Sequence, residues 1–159
     1  MKDPLIKLAG YVLRRASAAA LTELNERLAP LQLRHAEVAM LMLTQSSPGL
    51  TQSHAARILD IQRANMAPFV ARLEARGLIQ RRQVDGRTQA LDLTRHGRVV
   101  LGRARRVVAA HEAALMERVP DKLKPMVLPV LTALWAPGSV VMTQRPSQAV
   151  KSRACIRAQ

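Results

Sequence analysis

Residues 77 to 94 read GLIQRRQVDGRTQALDLT, and few folds accommodate such a stretch. Leu78 and Ile79 lead in, and Leu91 and Leu93 alternate with Asp92 on the way out. Val84-Asp85-Gly86-Arg87 sits between them. Apolar residues entering and alternating on either side of a glycine-containing turn predict an antiparallel hairpin, with strands over 78–83 and 89–93. Gly86 supplies the backbone freedom of the turn, and Arg87 stands at its exposed tip. In isolation the pattern also fits an ordinary hairpin with solvated charges, so the neighbouring segments decide what it is for.

Those neighbours are helical. Leu5, Leu8, Val12, Ala16, Ala19, Leu24 and Leu28 recur at helical spacing and predict a first helix over 5–29, stopped by Pro30. A second is expected over 33–45, with Val38, Leu41 and Met42 inward, before the break at Ser46-Ser47-Pro48-Gly49. Thr51 is the expected N-cap of a short helix over 52–59. After a turn at Asp60-Ile61, another helix is predicted over 63–76, with Met66, Phe69, Val70 and Leu73 on one face and Gly77 as its C-cap. Beyond the hairpin, Thr94 is the expected N-cap of a long helix over 95–118. A last helix over 122–135 is expected to be broken or bent by Pro125 and Pro129. From Ala136 onward there is no clean periodicity, and four basic residues stand against no acidic ones, so a tail outside the core is expected.

Two short helices joined by a tight turn and followed by a hairpin predict a mainly α fold: a winged helix-turn-helix with a two-stranded β-wing and a helical dimerisation region. The expected division is dimerisation helices in 1–32 and 110–135, a DNA-binding module in 33–109, and a basic tail in 136–159. The outer helices carry apolar faces that a chain of this length would struggle to cover alone, which predicts a two-fold dimer.

Charge points to the partner. The 159-residue chain carries 25 Lys and Arg against 11 Asp and Glu, a net charge of +14. Such an excess suits a polyanion, nucleic acid first and anionic membrane second; a GC-rich genome is an alternative source of arginine. Aromatic residues are only 2% of the chain, too few for the stacking platforms of RRM-like or OB-like domains. The single cysteine, Cys155, allows no intrachain disulfide and fits a reducing cytoplasm, where a free, inert thiol is expected. No signal peptide or membrane span is expected. His35, His54, His96 and His111 are far apart in sequence, so no metal site is expected. No catalytic constellation stands out, which argues against an enzyme and against a cofactor.

In a winged helix-turn-helix, the N-terminal end of the second helix reads base edges in the major groove. The candidates are Gln62, Arg63, Asn65 and Met66, since arginine forks onto guanine and Gln or Asn onto adenine. Thr51, Gln52 and Ser53 open the preceding helix, where amides and hydroxyls bind phosphate. Arg72 and Arg81 add charge on the same helix and on the first strand. Arg87 at the wing tip suits a narrow minor groove, with Asp85 placed to orient it by a charge-assisted hydrogen bond.

Gly77-Leu78-Ile79, Arg81, Asp85-x-Arg87, Leu91, Leu93-Thr94 and Gly97 resemble the signature of MarR-type regulators, GLI-x-R…D-x-R…L-x-LT-x-x-G. TQSHAARIL and FVARLEARGLI resemble that family's helix-turn-helix, and the likeness runs over roughly residues 5 to 135. One departure is Pro68, which falls inside the recognition helix and predicts a bend there. The resemblance implies a homodimer on a pseudo-palindromic double-stranded operator, acting as a repressor released by a small phenolic or other anionic ligand. It also implies a ligand pocket lined from the first, second and fifth helices, for which Tyr11, Arg14, Arg15, His35, Met42 and Arg106 are the candidates. The long helix carries Arg95, Arg98, Arg103, Arg105 and Arg106 before its first acidic residue, Glu112. That surplus favours an aromatic acid or its CoA thioester as effector, with release through a change in arm spacing. The alternative is a DNA-binding architectural protein without an effector.

Overall fold

In the computed structural model, residues 3–86 and 88–135 are described. They form two compact units, divided between Arg118 and Val119. The first holds α1 (Ala9–Leu28), α2 (His35–Ser46), α3 (Gln52–Ile58), α4 (Arg63–Ala75), β1 (Ile79–Asp85), β2 (Thr88–Leu93) and α5 (Arg95–Glu117). The second holds α6 (Lys124–Trp135), entered through a 3-10 turn over Asp121–Leu123.

The first helix is shorter than its periodicity predicts. Asp3 accepts a hydrogen bond from the Leu5 amide at 2.9 Å and caps a separate 3-10 turn, Pro4–Lys7. Leu8 is then extended (φ −94, ψ 111) before α1 begins. In α2 the buried side chains are Val38, Met40, Leu41 and Thr44, whereas Met42 is 37% exposed. At roughly 100° per residue, Met42 lies about 40° past Val38, beyond the edge of that arc. The expectation that Met42 points inward is therefore corrected.

Helix α4 runs without interruption through Pro68, the position at which a bend is expected. Pro68 is exposed, so its ring faces solvent while Met66, Phe69, Val70 and Leu73 fill the core. The helix closes on Gly77 at φ 63. The Gly77 amide donates to the Glu74 carbonyl at 2.8 Å and the Leu78 amide to the Leu73 carbonyl at 3.0 Å, the Schellman arrangement. Helix α6 is likewise unbroken: Pro125 falls in its first turn, where no amide is needed, and Pro129 is accommodated inside.

The wing is antiparallel with Ile79 opposite Leu93 and Arg81 opposite Leu91, and its register shifts between Gln83 and Asp85. It is tied to the helix-turn-helix by the Leu91 amide, which donates to the Leu50 carbonyl at 2.8 Å, and by a bridge between Thr51 and Ala90. Thr94 joins wing to α5. Its Oγ1 accepts from the Gly97 amide at 2.9 Å and donates to the Gly77 carbonyl at 2.5 Å. The expected caps at Thr51, Gly77 and Thr94 are thus all present. The expected basic tail and Cys155 lie outside the described residues.

Candidate nucleic-acid interface

Helix α3 starts where the Thr51 hydroxyl accepts from the His54 amide at 3.3 Å. Gln52 is half-buried and Ser53 exposed. The α3–α4 turn needs Asp60 at φ 51, with the Ile61 amide donating to the Ala56 carbonyl at 3.0 Å. That turn sets Gln62 at the N-cap of α4, and Gln62, Arg63 and Asn65 are all exposed. Met66, predicted to touch a base, is instead 1% exposed and part of the core. It shares the buried face with Phe69, Val70 and Leu73 at i+3, i+4 and i+7, so its thioether is unavailable to DNA.

Arg72, Arg81 and Arg82 are held in place by neighbours. The Arg72 guanidinium lies over the Phe69 ring, 5.7 Å from its centroid, within cation–π range. Arg81 Nε donates to Glu74 Oε2 at 3.1 Å, fastening the wing to α4. Arg82 Nε donates to Asp92 Oδ2 at 2.5 Å across the strands. Asp85 is exposed at the end of β1; Arg87, its expected partner, lies outside the described residues. Sequence reasoning passed over Arg57. It lines a shallow cleft with Ser53 and Arg63, and its position four residues after Ser53 on a helix was the available signal. Arg98, counted in the basic surplus of the long helix, turns back and donates to the Leu93 carbonyl at 2.8 Å.

The six effector candidates divide. Tyr11, Arg14 and Arg15 come together: Arg15 Nη1 donates to Tyr11 Oη at 3.1 Å, and the two guanidiniums stand 5.5 and 5.8 Å from the ring centroid. His35 is fixed elsewhere, its amide donating to Asn25 Oδ1 at 2.8 Å. Met42 and Arg106 are exposed on α2 and α5. A cleft of about 880 Å³ opens among α1, α2 and α4, and none of the six lines it.

Between α1 and α5, Glu23 accepts from Arg27 Nη2 at 2.6 Å and from Arg118 Nη2 at 2.7 Å. Those bonds, Arg118's first, hold the Glu23 carboxyl below its ordinary value of 4.5. The buried His111 ring brings Nδ1 to 4.0 Å from the same carboxylate, and that nitrogen has no hydrogen-bond partner among the described residues. Among the described residues no group of three His, Cys, Asp or Glu is gathered for a metal, and no helix is long and apolar enough to cross a membrane.

A model of the MarR family matches residues 31–88, from the segment between α1 and α2 through the wing turn. The HTH-type transcriptional repressor Rv2887 of Mycobacterium tuberculosis is 32% identical over 112 residues, 69% of this chain and 81% of that protein. The chain belongs to the MarR family. Its fold is that of solved MarR-type repressors. The transcriptional repressor CouR bound to a 23-mer DNA duplex superposes with a TM-score of 0.80 at 33% identity, over 85% of this chain and 98% of that one. CouR bound to p-coumaroyl-CoA gives 0.78 at 33% identity, over 86% and 97%. This MarR-family chain is therefore a DNA-binding transcriptional regulator with a winged helix-turn-helix.

Proposed function

We propose that this regulator is a cytoplasmic homodimeric repressor that leaves its operator when it binds an aromatic acid or the CoA thioester of one. The observation that carries the DNA half of this reading is the α4 N-terminus. Gln62, Arg63 and Asn65 are exposed there, while Met66, Phe69, Val70 and Leu73 lock the helix to the core. The reading helix is thus rigid where it packs and polar where it faces out. The likeness to CouR, bound in one structure to DNA and in another to p-coumaroyl-CoA, supports the effector half.

In this reading residues 33–109 bind DNA and 1–32 with 110–135 dimerise. Gln62, Arg63 and Asn65 read bases; Thr51, Gln52, Ser53, Arg57 and Arg72 take phosphates; Arg81 and Asp85 position the wing; and Arg87 enters the minor groove. Half-sites lie about one helical turn apart. The test is an operator titration at several salt concentrations, with and without p-coumarate and p-coumaroyl-CoA. Arg63→Ala or Asn65→Ala is expected to lose roughly 1–3 kcal/mol of base discrimination, and Arg87→Ala to lower affinity with a shallower salt slope. An Arg87→Ala protein that binds as tightly as wild type at every salt concentration refutes the wing contact. An operator complex untouched by millimolar levels of either compound refutes the effector and leaves a plain DNA-binding protein.

A further inference from the structure

The cleft among α1, α2 and α4 has the chemistry of a ligand site. Its volume of about 880 Å³ sits within the roughly 300–1,000 Å³ typical of small-molecule pockets. Ile61 and Phe69 give it an apolar wall, half-buried and 7% exposed respectively. Arg34, just before α2, and Arg72 on α4 give it two cations. Glu26 and Glu37 also line it. The Glu37 carboxylate is already engaged, with Oε1 accepting from Arg76 Nη1 at 3.0 Å and Oε2 from the Arg34 amide at 2.8 Å, and Glu26 stands exposed at the rim on α1. The Arg72 guanidinium is held 5.7 Å from the Phe69 centroid, so an aromatic surface and a positive charge adjoin. Such a pairing recognises a planar ring bearing an anion.

The decisive feature is the fourth wall. Asn65 and Arg72 line the cleft, and both are exposed residues of the helix that reads DNA. One helix thus contributes side chains both to the cleft and to the surface read as DNA-binding. We infer that this cleft is the effector site, that it takes an aromatic acyl anion on Phe69, Arg34 and Arg72, and that ligand and DNA exclude one another by competing for Asn65 and Arg72. The inference rests on the reading of the protein as a ligand-released regulator and replaces Tyr11, Arg14, Arg15, His35, Met42 and Arg106 as the site. It also replaces a change of arm spacing with direct displacement. A ligand that only shifts arm spacing still permits a ternary complex, and its effect on DNA affinity levels off at the coupling factor, typically about 5–150-fold. Displacement has no such ceiling.

Two measurements on the full-length protein test this. In the first, operator affinity is followed by anisotropy at rising fixed concentrations of p-coumaroyl-CoA, and separately of p-coumarate. The apparent Kd for DNA is expected to climb in proportion to ligand concentration without levelling off. The two arms show whether the ring and acyl group suffice or whether the CoA phosphates are needed. In the second, ligand binding is measured calorimetrically without DNA. Thr22→Trp fills the cleft from an exposed position on α1, and is expected to weaken ligand binding at least tenfold while its operator affinity, which also reports that it folds, stays at the wild-type value. Arg34→Ala is expected to weaken ligand binding by a similar factor. A plateau in the first experiment overturns mutual exclusion. Wild-type ligand binding by Thr22→Trp overturns the cleft while leaving the effector reading intact. If neither compound binds or releases DNA at millimolar concentration, the effector reading itself falls, and this inference with it.

Discussion

The winged module and the outer helices use the same residue types to opposite ends. The buried apolar cluster runs from Leu28 to Ala104, with Leu41, Val70 and Leu73 at 0% exposure. Before it, Ile6 is 63% and Leu8 56% exposed; after it, Leu128 is 72% and Trp135 84% exposed. Each apolar side chain left in water forgoes roughly 1.5–3 kcal/mol of burial. The module thus folds on contacts of its own, whereas the outer helices hold apolar faces in reserve for another surface. A second copy of the chain is the economical cover, because a two-fold axis lets one patch serve both subunits.

The comparison breaks most severely at Gly97. A Cβ on Gly97 would sit 1.9 Å from the Leu78 carbonyl oxygen and 2.8 Å from its carbon. Both are backbone atoms, fixed by the cap that joins α4, the wing and α5. Gly97→Ala is expected to abolish cooperative thermal unfolding. Gly102, in the same helix, has nothing within 4 Å; Gly102→Ala is expected to gain about 0.5–1 kcal/mol from helix propensity. A Gly97→Ala protein that melts with the wild type would show that α5 does not approach the wing this closely.

That glycine also shows how sequence and structure relate here. The motif Leu93-Thr94-x-x-Gly97 was readable as a signature, but its reason is a three-dimensional approach between residues 19 apart, Leu78 and Gly97. Local chemistry was legible: the caps at Thr51, Gly77 and Thr94 and the hairpin all follow from short-range rules. Phase and partner were less so. Met66 looked available because it stands at the reading end of α4, yet the same apolar character that placed it on a helix face buried it. Met42 is exposed and Met40 buried because α2 packs against α1, α5 and β2, an arc that periodicity alone does not set. The cleft was invisible, since Thr22, Arg34 and Arg72 meet only once α1, α2 and α4 are packed.

A milder break separates folding from assembly. Leu73→Ala is expected to cost about 2–5 kcal/mol whatever the protein concentration, because it empties a fully buried position. Leu8→Asp and Leu128→Asp are expected to leave the module's circular dichroism unchanged and to raise the monomer fraction at micromolar concentration, read by sedimentation equilibrium. Wild-type protein that sediments as a monomer at that concentration would remove the reason given for the exposed outer helices.

The smallest effect sharpens the comparison at the seam where α1 meets α5. Arg118 first, then Arg27, hold the Glu23 carboxyl below 4.5 in the folded chain. Unfolding releases it to its ordinary value, so the unfolded state takes up a proton more readily. The resulting stability is fully present above about pH 5, begins to fall as the pH drops through the unfolded value, and is gone below the lowered folded value. Glu23→Gln keeps the size of the side chain and removes the charge. The melting-temperature difference between wild type and Glu23→Gln is therefore expected to stay constant from pH 7 to pH 5 and to close on further acidification. Its size will be modest, since Arg118 is 58% exposed and water and salt weaken such pairs. A difference that persists unchanged at pH 3 would mean that Glu23 holds α1 to α5 by packing and neutral hydrogen bonds, with its charge playing no part.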